Sequence, residues 1–227
     1  MSKRERYQTP ADLPSRIPVF PLRGALLLPR VVMPLNIFEP RYISMVDDAL
    51  SGSRIIGIVQ PRLAGDDTES PAGKSVELRG IGTAGRLVAF NETDGNRYLI
   101  TLAGVSRFEI LSEVESPQDY RICEVSFDRF AGDLHRGLGE ESVDRERLLS
   151  VLKAYLEAQS MKADWAAIGR SGNELLVNTL SMLSPHGPEE KQALLEAKDL
   201  ATRAQILIAL AEMQLAAPDD GSGTAMQ

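Results

Sequence analysis

Up to about residue 130 the apolar positions come in short alternating or continuous runs; beyond 140 they recur at helical spacing. The prolines of Ile17-Pro18-Val19-Phe20-Pro21-Leu22 confine it to an edge strand or an extended, irregular strand. Val31–Phe38 is similar, with Pro34 inside it. Pro40 then opens the clearest helix, because a proline at the first helical position gives up no hydrogen bond. Tyr42, Met45, Val46, Ala49 and Leu50 form its stripe, and Gly52 stands where it should stop. Arg54–Val59 has strand length, and Leu87–Phe90 and Tyr98–Leu102 flank an Asp94-Gly95 turn. Phe108–Val114 follows, and then Cys123, Val125 and Phe127 alternate with Ile122, Glu124 and Ser126.

Downstream, Leu148, Leu149, Leu152, Tyr155 and Leu156 share one helical stripe. Leu175, Leu176, Leu180 and Leu183 mark a second helix, stopped by Ser184-Pro185. Pro188 opens a third, and Leu200, Ala204, Leu207 and Ala211 run along a fourth. The pattern predicts an α+β chain: a flexible arm (1–14), a β-rich, barrel-like domain with one helix (15–130) and a glycine-bearing joint (131–139). A helical bundle (140–215) and a disordered tail (216–227) follow. The two modules are expected to contact each other, because so short a helical segment has a wide apolar face to cover through Leu207, Leu210 and Leu215.

Charge narrows the partners. The chain of 227 residues carries a net charge of -7, a poor match for a phosphate backbone. A single cysteine, Cys123, leaves no internal disulfide and no all-cysteine metal site, and the histidines, His135 and His186, lie far apart. Apolar runs such as Ala25–Leu28 are too short to cross a membrane, and the charged N-terminus has no signal-peptide core. A cytoplasmic protein without metal or cofactor is the expectation.

Motifs for catalysis are missing their context. Gly73-Lys74-Ser75 ends like a phosphate-binding loop, but Thr68 occupies the position of its first glycine and extended Val76-Glu77-Leu78 replaces the helix. No nucleophile elbow exists, so a hydrolase would have to recruit His135 or His186 from segments that read as linkers. Cys123 sits in a strand as a small core residue. Glu140-Glu141 and Glu189-Glu190 complement helix starts.

Basic residues gather at the front, where residues 1–41 sum to +4, without the interleaved aromatics of a base-stacking platform. Arg23-Gly24-Ala25-Leu26-Leu27-Leu28-Pro29-Arg30 has no alternation. Two arrangements are open: all three leucines turn inward and close the sheet, or at least one stays exposed. In the second, Leu26, Leu27 and Leu28 with Phe38 and Tyr42 form an apolar contact rimmed by Arg23, Arg30 and Arg41.

The same residues carry a resemblance. Ile17–Gly24, Leu28-Pro29, Val32–Leu35 and Phe38–Tyr42 before a helix, then Gly104 with Arg107-Phe108-Glu109-Ile110, then Tyr120–Val125, resemble the N-terminal substrate-binding domain of Lon proteases. Asn178–Leu183, Lys191–Glu196 and Arg203 resemble that region's helical extension. The resemblance implies a PUA-like pseudo-barrel followed by helices, in a stand-alone bacterial protein whose sequence stops where the ATPase would begin. It implies a non-catalytic, adaptor-like module for unfolded or tagged polypeptides. A separate protease and a second copy of the chain are further partners to consider. RNA binding is the alternative, drawn only from PUA likeness and the basic front. From Thr68 and its setting, calorimetric titration with Mg-ATP should give no binding; a micromolar isotherm would overturn that reading.

Overall fold

The computed structural model describes residues 7–62, 76–93, 95, 97–159 and 162–216. The phosphate-loop-like Thr68–Ser75 and the tail beyond 216 lie outside them. Six strands form: β1 (Arg16–Pro21), β2 (Val32–Ile37), β3 (Ile55–Pro61), β4 (Leu78–Thr93), β5 (Arg97–Val114) and β6 (Arg121–Ser126). They run in the order β2-β5-β4-β3-β1-β6, with β5 pairing β6 as well. Pairing therefore returns on itself through β1, β3, β4, β5 and β6. The long β5 makes this possible by dividing one edge: residues 98–103 pair β2, and 109–114 pair β6. Phe108–Val114, expected as a separate strand, is the second half of β5.

β1 is not at an edge. It runs parallel to β3 and antiparallel to β6. Its prolines are tolerated because the neighbours share it lengthwise: β6 takes Arg16–Val19, β3 takes Val19–Pro21, and only Val19 is paired on both sides. After Pro21 the ladder resumes, with Leu22 N donating to Val59 O at 2.9 Å.

Helix α1 (Pro40–Ser51) buries Tyr42, Ile43, Met45, Val46 and Ala49 against the sheet, with Met33, Ile37, Ile56 and Leu102 beneath. Inside the ring, Ile17, Val19, Phe108, Cys123, Val125 and Phe127 form a second cluster. Within the described part of the arm, Pro10–Asp12 make a 3-10 turn, and Leu13 is buried in that second cluster. Five helices follow: α2 (Arg145–Ala158), α3 (Trp165–Arg170), α4 (Asn173–Leu183), α5 (Pro188–Glu196) and α6 (Leu200–Ala216). α3, with six residues, is too short to show a helical period in the sequence.

Strands and helices share a third cluster. Leu26, Leu28, Val31, Ile81 and Phe130 pack with Val143, Leu148, Leu176, Leu194, Leu200 and Leu207. Buried polar groups cross the same boundary. Gln60 donates to Pro188 O at 2.9 Å and to Gln192 Oε1 at 3.1 Å. Arg107, on β5, grips Asp133 through Nε and Nη2, each at 2.8 Å, and donates through Nη1 to the carbonyls of Leu195 and Ala197. The segment 131–139 is thus held in place, with Leu134 also buried.

Removing one partner of a buried ion pair strands the other charge, at about 3–5 kcal/mol. Asp133→Ala should therefore lower unfolding stability by about 3–5 kcal/mol in denaturant titration. A loss below about 1 kcal/mol, the range of exposed pairs, would contradict this role.

Candidate functional site

The Arg23–Arg30 segment turns inward. Leu26, Leu27 and Leu28 are 2%, 1% and 0% exposed. Leu27 enters the α1 cluster, while Leu26 and Leu28 enter the cluster shared with the helices. A run buried against two different elements has no solvent side, hence no period. Left-handed backbone at Gly24 (φ 68°) and Arg30 (φ 69°) bounds it, and Thr83 Oγ1 donates to Leu27 O at 2.6 Å. Gly104 permits this close passage, since a Cβ there would sit 2.0 Å from Leu28 O. Of the two open arrangements the leucines take the inward one, and Leu27→Ser would report on folding rather than on binding.

The other expected residues divide. Tyr42 is buried, its ring 4.2 Å from that of Phe20 and beneath the Arg41 guanidinium at 4.7 Å. Arg41 pairs with Glu39, and Arg30 lies 3.9 Å from Glu174 on α4. Arg23 is exposed, next to Gly24, which faces Pro188 of α5. Phe38 is 63% exposed. It continues the outward alternation of Val32 and Pro34, and the register sets Leu99 opposite Asn36 on that face. Phe38 thus belongs to an apolar strip on the sheet.

A deeper apolar surface lies on the helices. Asp144 caps α2, its side chain accepting from Arg147 N at 3.0 Å. α2 presents Leu148, Leu152, Tyr155 and Leu156 toward Leu207 and Ala211 of α6. α4 ends at Leu183 because Ser184 precedes Pro185 and takes an extended conformation. The chain leaving α4 completes a groove of about 460 Å³. Its volume falls within the roughly 300–1,000 Å³ of small-ligand sites.

Among the described residues no acid, lysine or arginine lines the groove. Leu183 is 69% exposed at its edge. His186 supplies a polar handle: its Nε2 is out of solvent and without a hydrogen-bond partner. Burial holds the imidazole below its ordinary pKa of 6.5, with Glu190 opposing and Lys191 reinforcing. The wall therefore offers a neutral ring nitrogen among leucines, suited to apolar side chains and a backbone amide or carbonyl. The α2 stripe was visible in the sequence; that α4 and α6 leave half of it uncovered was not. Cys123, by contrast, is buried, its thiol pushed up to about 11 chiefly by that burial. Among the described residues no cluster of metal-ligating side chains occurs, and no helix is long and apolar enough to cross a membrane.

The family model described as the ATP-dependent protease La (LON) substrate-binding domain matches residues 16–212. The chain belongs to this family. It is 28% identical over 208 residues to Lon protease 2 of Sorangium cellulosum, covering 88% of this chain and 25% of that protein. It is 30% identical over 197 residues to a Lon protease of Flavobacterium johnsoniae, covering 85% of this chain and 23% of that protein. It thus spans about a quarter of the length of these relatives. The fold is similar to a Lon N-terminal domain protein from Xanthomonas campestris, with TM-score 0.59 and 20% identity over 86% of this chain and 97% of that one. It is also similar to the N-terminal domain of a Mycobacterium avium complex Lon protease, with TM-score 0.62 and 19% identity over 87% and 98%.

In this Lon-family domain the groove histidine carries a pH signature. A depressed native pKa means the unfolded chain binds the proton more tightly, so His186 favours folding above 6.5 and loses that contribution as pH falls through its native value. The stability difference between wild type and His186→Gln should be flat above 6.5 and change slope below it. A difference independent of pH between 4.5 and 7.5 would contradict the buried neutral imidazole.

Proposed function

We propose that the chain binds segments of unfolded polypeptide in the groove between α2, α4 and α6. The observation that carries this is the groove itself: a wide apolar channel without a charged side chain and with one unpartnered imidazole nitrogen. Its family's description as a substrate-binding domain supports the same reading. Apolar client side chains would leave water against Leu152, Leu156 and Leu183, while His186 meets the client backbone. We read the ring-closed strands as a PUA-like pseudo-barrel and α2–α6 as the helical bundle it presents. On this reading the protein works in the cytoplasm as a non-catalytic, adaptor-like receptor that supplies clients to a separate protease. The pairing of Arg30 and Arg41 with Glu174 and Glu39 favours polypeptide over RNA, because it uses up part of the basic front.

Burying one leucine contributes roughly 1.5–3 kcal/mol, and each 1.4 kcal/mol is about tenfold in affinity. Leu183 is exposed, so its replacement leaves the core intact. Leu183→Asp should weaken binding of fluorescently labelled, reduced and carboxymethylated α-lactalbumin about tenfold or more, with an unchanged melting temperature. Phe38→Ser, on the sheet strip, should leave it unaltered. Loss of binding in Phe38→Ser alone would move the site to the strip; loss in neither would sink the proposal.

A further inference from the structure

A second, polar cleft of about 150 Å³ lies between the segment 128–139, the start of α4 and the start of α6. That is half the volume at which drug-sized sites begin, roughly 300 Å³, so it suits a small ion rather than a nucleotide. Arg203 of α6 lines it and is 3% exposed. Its Nε donates to Leu194 O and its Nη1 to Asn178 Oδ1, both at 2.9 Å and both neutral acceptors. Its Nη2 is buried with no hydrogen-bond partner. Buried charges are ordinarily paired with an opposite charge, and this one is hydrogen-bonded to none.

The neighbouring acids are engaged elsewhere. Asp133 is taken by the fork of Arg107, Glu174 accepts from Gly137 N at 2.9 Å beside Arg30, and Asp199 caps α6 through Thr202 N at 2.8 Å. Arg107, Arg129, Lys198 and Arg203 line the cleft with those three carboxylates. Arg129 is itself paired with Glu109. His135 and Lys198 stand exposed at the rim. Burial, followed by repulsion from Arg107, pulls the Arg203 guanidinium down to about 9, against the opposing pull of Asp133, Glu174 and Asp199.

We infer that this cleft is a binding site for a small oxyanion, with Arg203 Nη2 as the donor at its floor and Lys198 and His135 as donors at its rim. A water molecule would satisfy the hydrogen of Nη2 but not its charge; a phosphate or carboxylate group satisfies both. The site is independent of the apolar groove.

The test titrates the full chain with inorganic phosphate, and separately with acetate as the stand-in for a carboxylate group. Sodium chloride at matched ionic strength is the reference. The readouts are melting temperature and the arginine Nε–Hε NMR resonances. A native-only ligand raises the melting temperature saturably, and the Arg203 resonance should shift with the same midpoint. Preference for phosphate points to a free ion, and preference for acetate to a polypeptide carboxylate. Lys198→Ala and His135→Ala change exposed residues and should each weaken the response about two- to fivefold. Arg203→Lys should weaken it by about tenfold or more. Should Arg203→Lys fail to fold, the wild-type resonance shift and the two rim variants decide. No response beyond sodium chloride, or a response unaltered in every folded variant, would overturn the site.

Discussion

A guanidinium removed from water fixes the directions of the acceptors that replace it, and Arg107 uses its own to join three parts of the chain. It rises from β5, is clasped by Asp133 in the segment after β6, and reaches the carbonyls of Leu195 and Ala197 at the end of α5. Phe130 lies under it at 4.3 Å. Hydrophobic contact alone would let the helices slide on the strands, since burial is non-directional. The charged fork does not slide, so it sets the angle at which the helices meet the sheet. Gln60 and Gln192 repeat the constraint on the other side of α5 with neutral groups.

With that joint rigid, α6 serves two surfaces. Arg203 and Ala204 face inward to the network and shared core, while Ala211, a turn beyond Leu207, opens into the apolar groove. The groove is open because α2 meets α6 along one side while α4 stops at Ser184-Pro185, before it can cover the exposed leucines. Rigid walls around an apolar channel lower the entropic cost of binding a flexible client, because only the client has to be ordered.

Much of the architecture was legible from local rules. Pro40 and the Tyr42–Ala49 stripe marked α1, and the Cys123–Phe127 alternation marked both β6 and its inward face. Four of the five later helices announced themselves by leucine spacing. What failed was sidedness. Leu26, Leu27 and Leu28 are surrounded by strands on one side and helices on the other, so no pattern distinguishes them from an exposed apolar run. β1 violated the edge rule because its two neighbours overlap only at Val19. Phe38, named in the sequence only as a companion of those leucines, is exposed because it continues the outward face of β2. The groove depends on where α4 ends relative to α2 and α6, which is a tertiary fact.

The antiparallel pairing of β1 with β6 has a consequence in time. Arg16 finds its partner Glu124 only after more than a hundred further residues have been made. At a synthesis rate of about 5–20 residues per second, the first strand waits on the order of 5–20 s with one side unmatched. Arg107 is completed later still, because two of its acceptors, Leu195 and Ala197, are made after β6. On the ribosome the β4–β5 hairpin, local in sequence, can form first; ring closure and burial of the charge come together at the end. The nascent chain therefore exposes apolar strand surface of the kind its folded groove is proposed to bind.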